Sequence, residues 1–101
     1  MCRVWDVPDR AAAQRVATVS AVPTLIVSGT FDAKTGASWG RYASRTLSRS
    51  TVVRIPGIGH WVVPQPPCAQ AVLASFLARP DARGTTCAAG LAPKPFTVVP
   101  K

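Results

Sequence analysis

Two short runs of strand-forming residues constrain the fold of this chain more than anything else in it. The first, "PTLIVSG" at 23–29, opens on a proline, fills four successive positions with apolar or β-branched residues and stops at a glycine. A continuous apolar run of this kind suits a parallel strand covered on both faces. The second, "TVVRI" at 51–55, is short and β-branched, and Pro56 and Gly57 end it. Between them lie the loop "TFDAKTG" and the stretch "ASWGRYASRTL", whose spacing predicts a helix over 37–47. Its residues Trp39, Tyr42 or Ala43, and Thr46 or Leu47 fall on one face, with Arg41 and Arg45 on the other. Gly40 weakens that helix slightly. A connection containing a helix is long enough to return the chain for parallel pairing.

After the second strand comes the loop "GIGHWVVPQPP", then "CAQAVLASFLA" at 68–78, a second helix with Val72, Leu73, Phe76 and Leu77 inward. Pro80 and "DARG" terminate it. The order strand, helix, strand, helix places the chain in the α/β class as a βαβα unit. Three segments follow: a lead-in at 1–22, a body at 23–79 and a Pro-rich tail at 80–101. In the lead-in, "RAAAQRVATVSA" fits either a short helix or an irregular approach. In the tail, "TTCAAGLAPKPFTVVPK" reads as extended over the surface. Two parallel strands cannot cover both faces and protect both edges, so the unit is expected to be the end of a larger doubly wound parallel sheet.

A length of 101 residues fits one small domain or a piece of a larger one, and 48% apolar against 16% charged residues describes globular material. No apolar run is long enough to span a membrane, and "MCRVWDVPDR" has no apolar core of a secretory signal, so the chain as written is expected to stay in the cytosol unless it is cut from a longer precursor. The net charge of +8 arises from nine Arg and three Lys against four Asp, with no Glu. Arg41, Arg45 and Arg49 form a helical stripe, which reads most simply as a solvated face. The charges are otherwise scattered, without a dense run or interleaved aromatics, so nucleic acid is a disfavoured partner. Of the three cysteines, Cys68 and Cys87 flank a helix and a turn, and a local disulfide between them leaves Cys2 over; three reduced thiols is the alternative. There is no C-x-x-C pair and only one histidine, so we expect no metal and no cofactor.

Two residues carry chemistry. Asp32, in "GTFD", lies just past the carboxyl end of the first strand, where open α/β sheets place functional groups. His60, in "GIGHW", is the only histidine and follows the second strand. Parallel strands send both carboxyl ends to one edge, so Asp32 and His60 become neighbours, within hydrogen-bond reach of roughly 2.6–3.2 Å. Alone, Asp32 would be a helix-capping or loop carboxylate and His60 an ordinary loop histidine. Together they form a pair of the kind that orients an imidazole as a general base.

These residues resemble the C-terminal part of α/β-hydrolases of the tripeptidyl-aminopeptidase-like group, related to prolyl aminopeptidases. The resemblance rests on "P-x-L-h-h-x-G-x-x-D-x-x-T" (h apolar), here Pro23 to Thr35 with Asp32, and on "P-G-x-G-H", here Pro56 to His60. A "P-C" opening the last helix at Cys68, the later Cys87 and the early "CRVW" agree with it. It implies Asp32 and His60 as triad acid and histidine in a secreted or envelope serine hydrolase acting on peptides, or less readily on esters. It also implies that the nucleophile lies on an upstream elbow, in the order Ser, Asp, His, within an N-terminal hydrolase portion that this chain lacks. The chain by itself is then expected to be inactive.

"GASWG" at 36–40 matches the elbow pattern G-x-S-x-G around Ser38, but Ser38 follows a polar loop and not a strand, and its order would be Asp, Ser, His. We read the match as accidental. The competing reading of the whole chain is a non-catalytic basic remnant of the fold that binds nucleic acid or an acidic partner.

Overall fold

The computed structural model describes residue 14 and residues 16–81 and 86–100. Cys2, the opening "CRVW" and most of "RAAAQRV" lie outside the described residues. Strand β1 (Thr24–Gly29), helix α1 (Ala37–Ser44), strand β2 (Ser50–Ile55), helix α2 (Pro67–Ala78) and the single-turn helix α3 (Thr86–Ala89) follow in order. The strands pair in parallel, in register from Thr24 opposite Ser50 to Gly29 opposite Ile55.

Burial in β2 alternates: Val53 and Ile55 are buried, whereas Val52 and Arg54 are exposed. The period of two turns Val53 and Ile55, with Leu25 and Val27 beside them, toward one face. There α2 delivers Cys68, Ala69 and Val72, and Val62 completes the core. On the other face α1 crosses at Gly40, where an added Cβ would stand 2.8 Å from the Ile26 side chain. The helices thus lie on opposite faces of the two strands. Only Ser28 and Gly29 of β1 are buried, so the apolar run is not covered along its full length as its composition suggests.

Four local expectations change. Helix α1 ends at Ser44 and not at Leu47, because the lead-in claims the next backbone groups. The Ser20 N–H donates to the Thr46 carbonyl (3.1 Å), and the Ser48 N–H donates to the Ser20 carbonyl (3.1 Å), so Leu47 pairs with Ser20 in an isolated parallel bridge. The close crossing at Gly40 also rolls Trp39 and Tyr42 outward; they are exposed and pack edge to face on each other. In α2, Leu77 is exposed and Phe76 only half-buried, since the helix meets the sheet through its first two turns. Finally, the tail holds a helical turn, α3, whose Cys87 forms a disulfide with Cys68 at a Cα separation of 5.8 Å.

Candidate active site

The acid loop begins where β1 ends. The Asp32 N–H donates back to the Gly29 carbonyl (3.3 Å), turning the chain sharply at the strand's carboxyl end. The carboxylate then organises its own loop. Oδ1 accepts the backbone N–H groups of Lys34 (2.8 Å) and Thr35 (3.0 Å), an Asx-type turn. Oδ2 accepts the Thr35 hydroxyl (2.8 Å) and faces His60 Nδ1 at 3.0 Å.

Backbone N–H groups fasten the histidine loop to the acid loop. The Phe31 N–H donates to the Ile58 carbonyl (3.0 Å), and the Gly57 N–H donates to the Thr30 hydroxyl (2.9 Å). Gly57 adopts φ +72°, the left-handed turn that only glycine enters freely, and this reverses the chain after β2. Ile58 packs against the core and Val62 lies within it, so His60 is held between two apolar anchors.

The structure therefore brings Asp32 and His60 together at the carboxyl edge of the two strands. The Asp32 side chain is 4% exposed and the His60 side chain 45%. The Thr35 N–H, ahead of the opposing effect of burial, holds the Asp32 carboxyl well below the usual carboxylate range; His60, the Thr35 hydroxyl and the Lys34 N–H reinforce it. An ionised carboxylate only accepts, so the imidazole nitrogen facing it carries the proton. In the neutral ring the other nitrogen, Nε2, is then the one with the lone pair. An aspartate that fixes this tautomer prepares the ring to take a proton from a third group. His60 and Asp32 border a hollow of about 350 Å³ whose walls include Ser28, Trp39 and Val62.

Thr35 is the participant that the two-residue reading of the site leaves out. Its signal is the D-x-x-T spacing, which lets one residue offer its N–H and its hydroxyl to the same carboxylate. Ser38 is exposed in the first turn of α1, nine residues beyond the end of β1, with no strand leading into it. Among the described residues no hydrogen bond joins Ser38 to His60. Two arginines of the basic stripe have local partners: Arg49 pairs with Asp81, and Arg45 lies over the Tyr42 ring at 5.9 Å. Among the described residues no three His, Cys, Asp or Glu side chains gather as metal ligands, and no helix is long and apolar enough to cross a membrane.

The family model described as TAP-like protein matches residues 1–87. No curated protein and no solved structure matches the chain. The match spans both strands, both loops and the cysteines of the disulfide, and by it the chain belongs to the TAP-like family, the tripeptidyl-aminopeptidase-like C-terminal part of α/β-hydrolases.

Proposed function

We propose that Asp32 and His60 are the acid and base of a Ser-His-Asp hydrolase site whose nucleophilic serine is contributed by an N-terminal hydrolase portion outside these residues. The observation that carries this reading is the 3.0 Å contact between Asp32 Oδ2 and His60 Nδ1, at the edge where both strands end. In that site Nε2 takes the proton of the serine hydroxyl as its oxygen attacks the scissile carbonyl. Asp32 stays ionised and stabilises the imidazolium, which then protonates the leaving amine. The substrate is a peptide cleaved near its amino terminus, as family membership suggests, with esters second. The working location is secreted or within the cell envelope, which agrees with the disulfide.

Two features support a missing body. Among the described residues β1 pairs along one edge only, leaving the other free to continue a sheet. On the face that lines the hollow beside Asp32 and His60, the Ser28 hydroxyl is buried with no hydrogen-bond partner among the described residues, which is costly unless another segment supplies one. The alternative, a basic module that binds nucleic acid or an acidic partner, has less behind it, since Arg45 and Arg49 already engage their neighbours.

Complementation tests the reading. The chain is combined with the N-terminal portion of a TAP-like hydrolase and assayed on tripeptidyl anilides. Hydrolysis that appears only on mixing, and disappears with His60→Ala, is expected. Hydrolysis indifferent to His60→Ala would remove the assignment, as would DNA binding by the chain with a steep salt dependence and no complementation at all.

A further inference from the structure

We infer that Thr35 is a positioning residue of this site, its hydroxyl locking the His60 ring in the tautomer that leaves Nε2 free to act as base. The inference rests on the proposed roles of Asp32 and His60 and extends them to a residue that neither role names.

Three atoms form a closed triangle. Thr35 Oγ1 lies 2.8 Å from Asp32 Oδ2 and 3.2 Å from His60 Nδ1, and Nδ1 lies 3.0 Å from the same Oδ2. The hydroxyl has one hydrogen to give and lone pairs to offer. If it gave the hydrogen to Nδ1, the ring would present a lone pair to the carboxylate oxygen, and two acceptors would face each other. If it gives the hydrogen to Oδ2, the bond is charge-assisted and the stronger choice. The oxygen then turns lone pairs toward Nδ1, a geometry satisfied only by Nδ1–H. The hydroxyl thus excludes the wrong tautomer from a second direction.

The same residue grips the other carboxylate oxygen through its backbone N–H at 3.0 Å. Asp32 is therefore clasped at both oxygens by Thr35, and its plane is fixed relative to the ring. The β-branched side chain is stiff about χ1, so the hydroxyl does not wander from this position. Thr35 itself is exposed and belongs to no core cluster. Its hydroxyl serves the pair and not the packing.

The test compares Thr35→Val, which keeps the branch and the backbone N–H, with Thr35→Ser, which keeps the hydroxyl. Nitrogen-15 spectra of the His60 ring in the isolated chain report the tautomer directly. Wild type and Thr35→Ser are expected to show Nδ1–H almost alone, and Thr35→Val a mixture with Nε2–H. In the complemented enzyme kcat should fall about 10- to 100-fold for Thr35→Val with KM little changed, the rate equivalent of one hydrogen bond to a charged group, and Thr35→Ser should restore it. A Thr35→Val spectrum identical to wild type overturns the inference, as does loss of Nδ1–H in Thr35→Ser. Should Thr35→Val unfold, Thr35→Ala repeats the comparison against the serine variant. A shifted tautomer without any hydrolysis would uphold the inference and sink the hydrolase reading; His60-dependent hydrolysis with an unshifted tautomer would do the reverse.

Discussion

Gly29 and Ile58 approach so closely that a Cβ on Gly29 would overlap the Ile58 carbonyl oxygen and lie 2.5 Å from that of Gly59. The obstacle is backbone on both counts, and it belongs to the loop that carries His60. The end of β1 and the histidine loop are therefore in direct main-chain contact three residues before Asp32. The absence of a side chain at Gly29 sets the distance between acid and base.

Gly29→Ala should accordingly push the two loops apart. The cost is expected at about 1–3 kcal/mol, the range for forcing atoms into a packed site, with the upper end favoured because backbone cannot rotate away. Gly36→Ala is the control, since its Cβ would meet nothing nearer than 3.8 Å. Urea unfolding of both variants checks this. A Gly29→Ala midpoint equal to that of Gly36→Ala would show that the contact is not limiting.

Ser38 should stay silent toward a fluorophosphonate probe in the isolated chain. It sits on a helix that begins after a loop, so no strained turn presents its hydroxyl and no hydrogen bond links it to His60 among the described residues. Mass spectrometry of the labelled chain reads the outcome. Stoichiometric labelling of Ser38 that vanished in His60→Ala would make "GASWG" a genuine nucleophile motif.

The disulfide should matter more for stability than for the site. Cys68 and Cys87 are 19 residues apart, and closing a loop of that size is worth about 3 kcal/mol by the chain-entropy model. Paired Cys68→Ser and Cys87→Ser substitution should lower the unfolding free energy by that order while leaving the His60 ring spectrum unchanged. Peptide mapping without reduction should recover the Cys68–Cys87 pair; a dominant Cys2–Cys68 bridge would contradict the arrangement.

What could be read from the residues alone was the part fixed by chain order. A strand ending at Gly29, a helical crossover and a strand ending near Pro56 leave Asp32 and His60 no option but the same edge, and the structure has them there at 3.0 Å. The role of Thr35 depended on the loop closing into an Asx-type turn, a conformation that hydrophobic periodicity does not encode. The outward roll of Trp39 and Tyr42 was hidden for a different reason. Their spacing puts them on the face opposite Arg41 and Arg45, but how near α1 can approach is decided by Gly40 against Ile26, a contact between distant elements. Leu77 misled because α2 is apolar on nearly every side, so its sequence does not say which side meets the sheet.

Asp32 should give the chain an acid-sensitive component of stability. Its carboxyl is held below the usual carboxylate range, first by the Thr35 N–H and then by His60 and the Thr35 hydroxyl, so the folded state releases this proton more readily than the unfolded chain. A folded pKa below the unfolded value means that the unfolded chain binds the proton first as pH falls. The contribution is therefore complete above the ordinary Asp value of 3.8 and is lost progressively beneath it. Asp32→Asn removes the titration and keeps the shape, although an amide offers Nδ1 a donor or an acceptor where the carboxylate is acceptor only. The stability gap between wild type and Asp32→Asn should be widest at neutral pH and narrow steadily as pH falls below about 4. Urea midpoints measured for both chains from pH 7 down to pH 2 decide the matter. A gap that held constant across that range would mean that the Asp32 proton is not linked to folding, and the cluster of hydrogen bonds around its carboxylate would lose its energetic meaning.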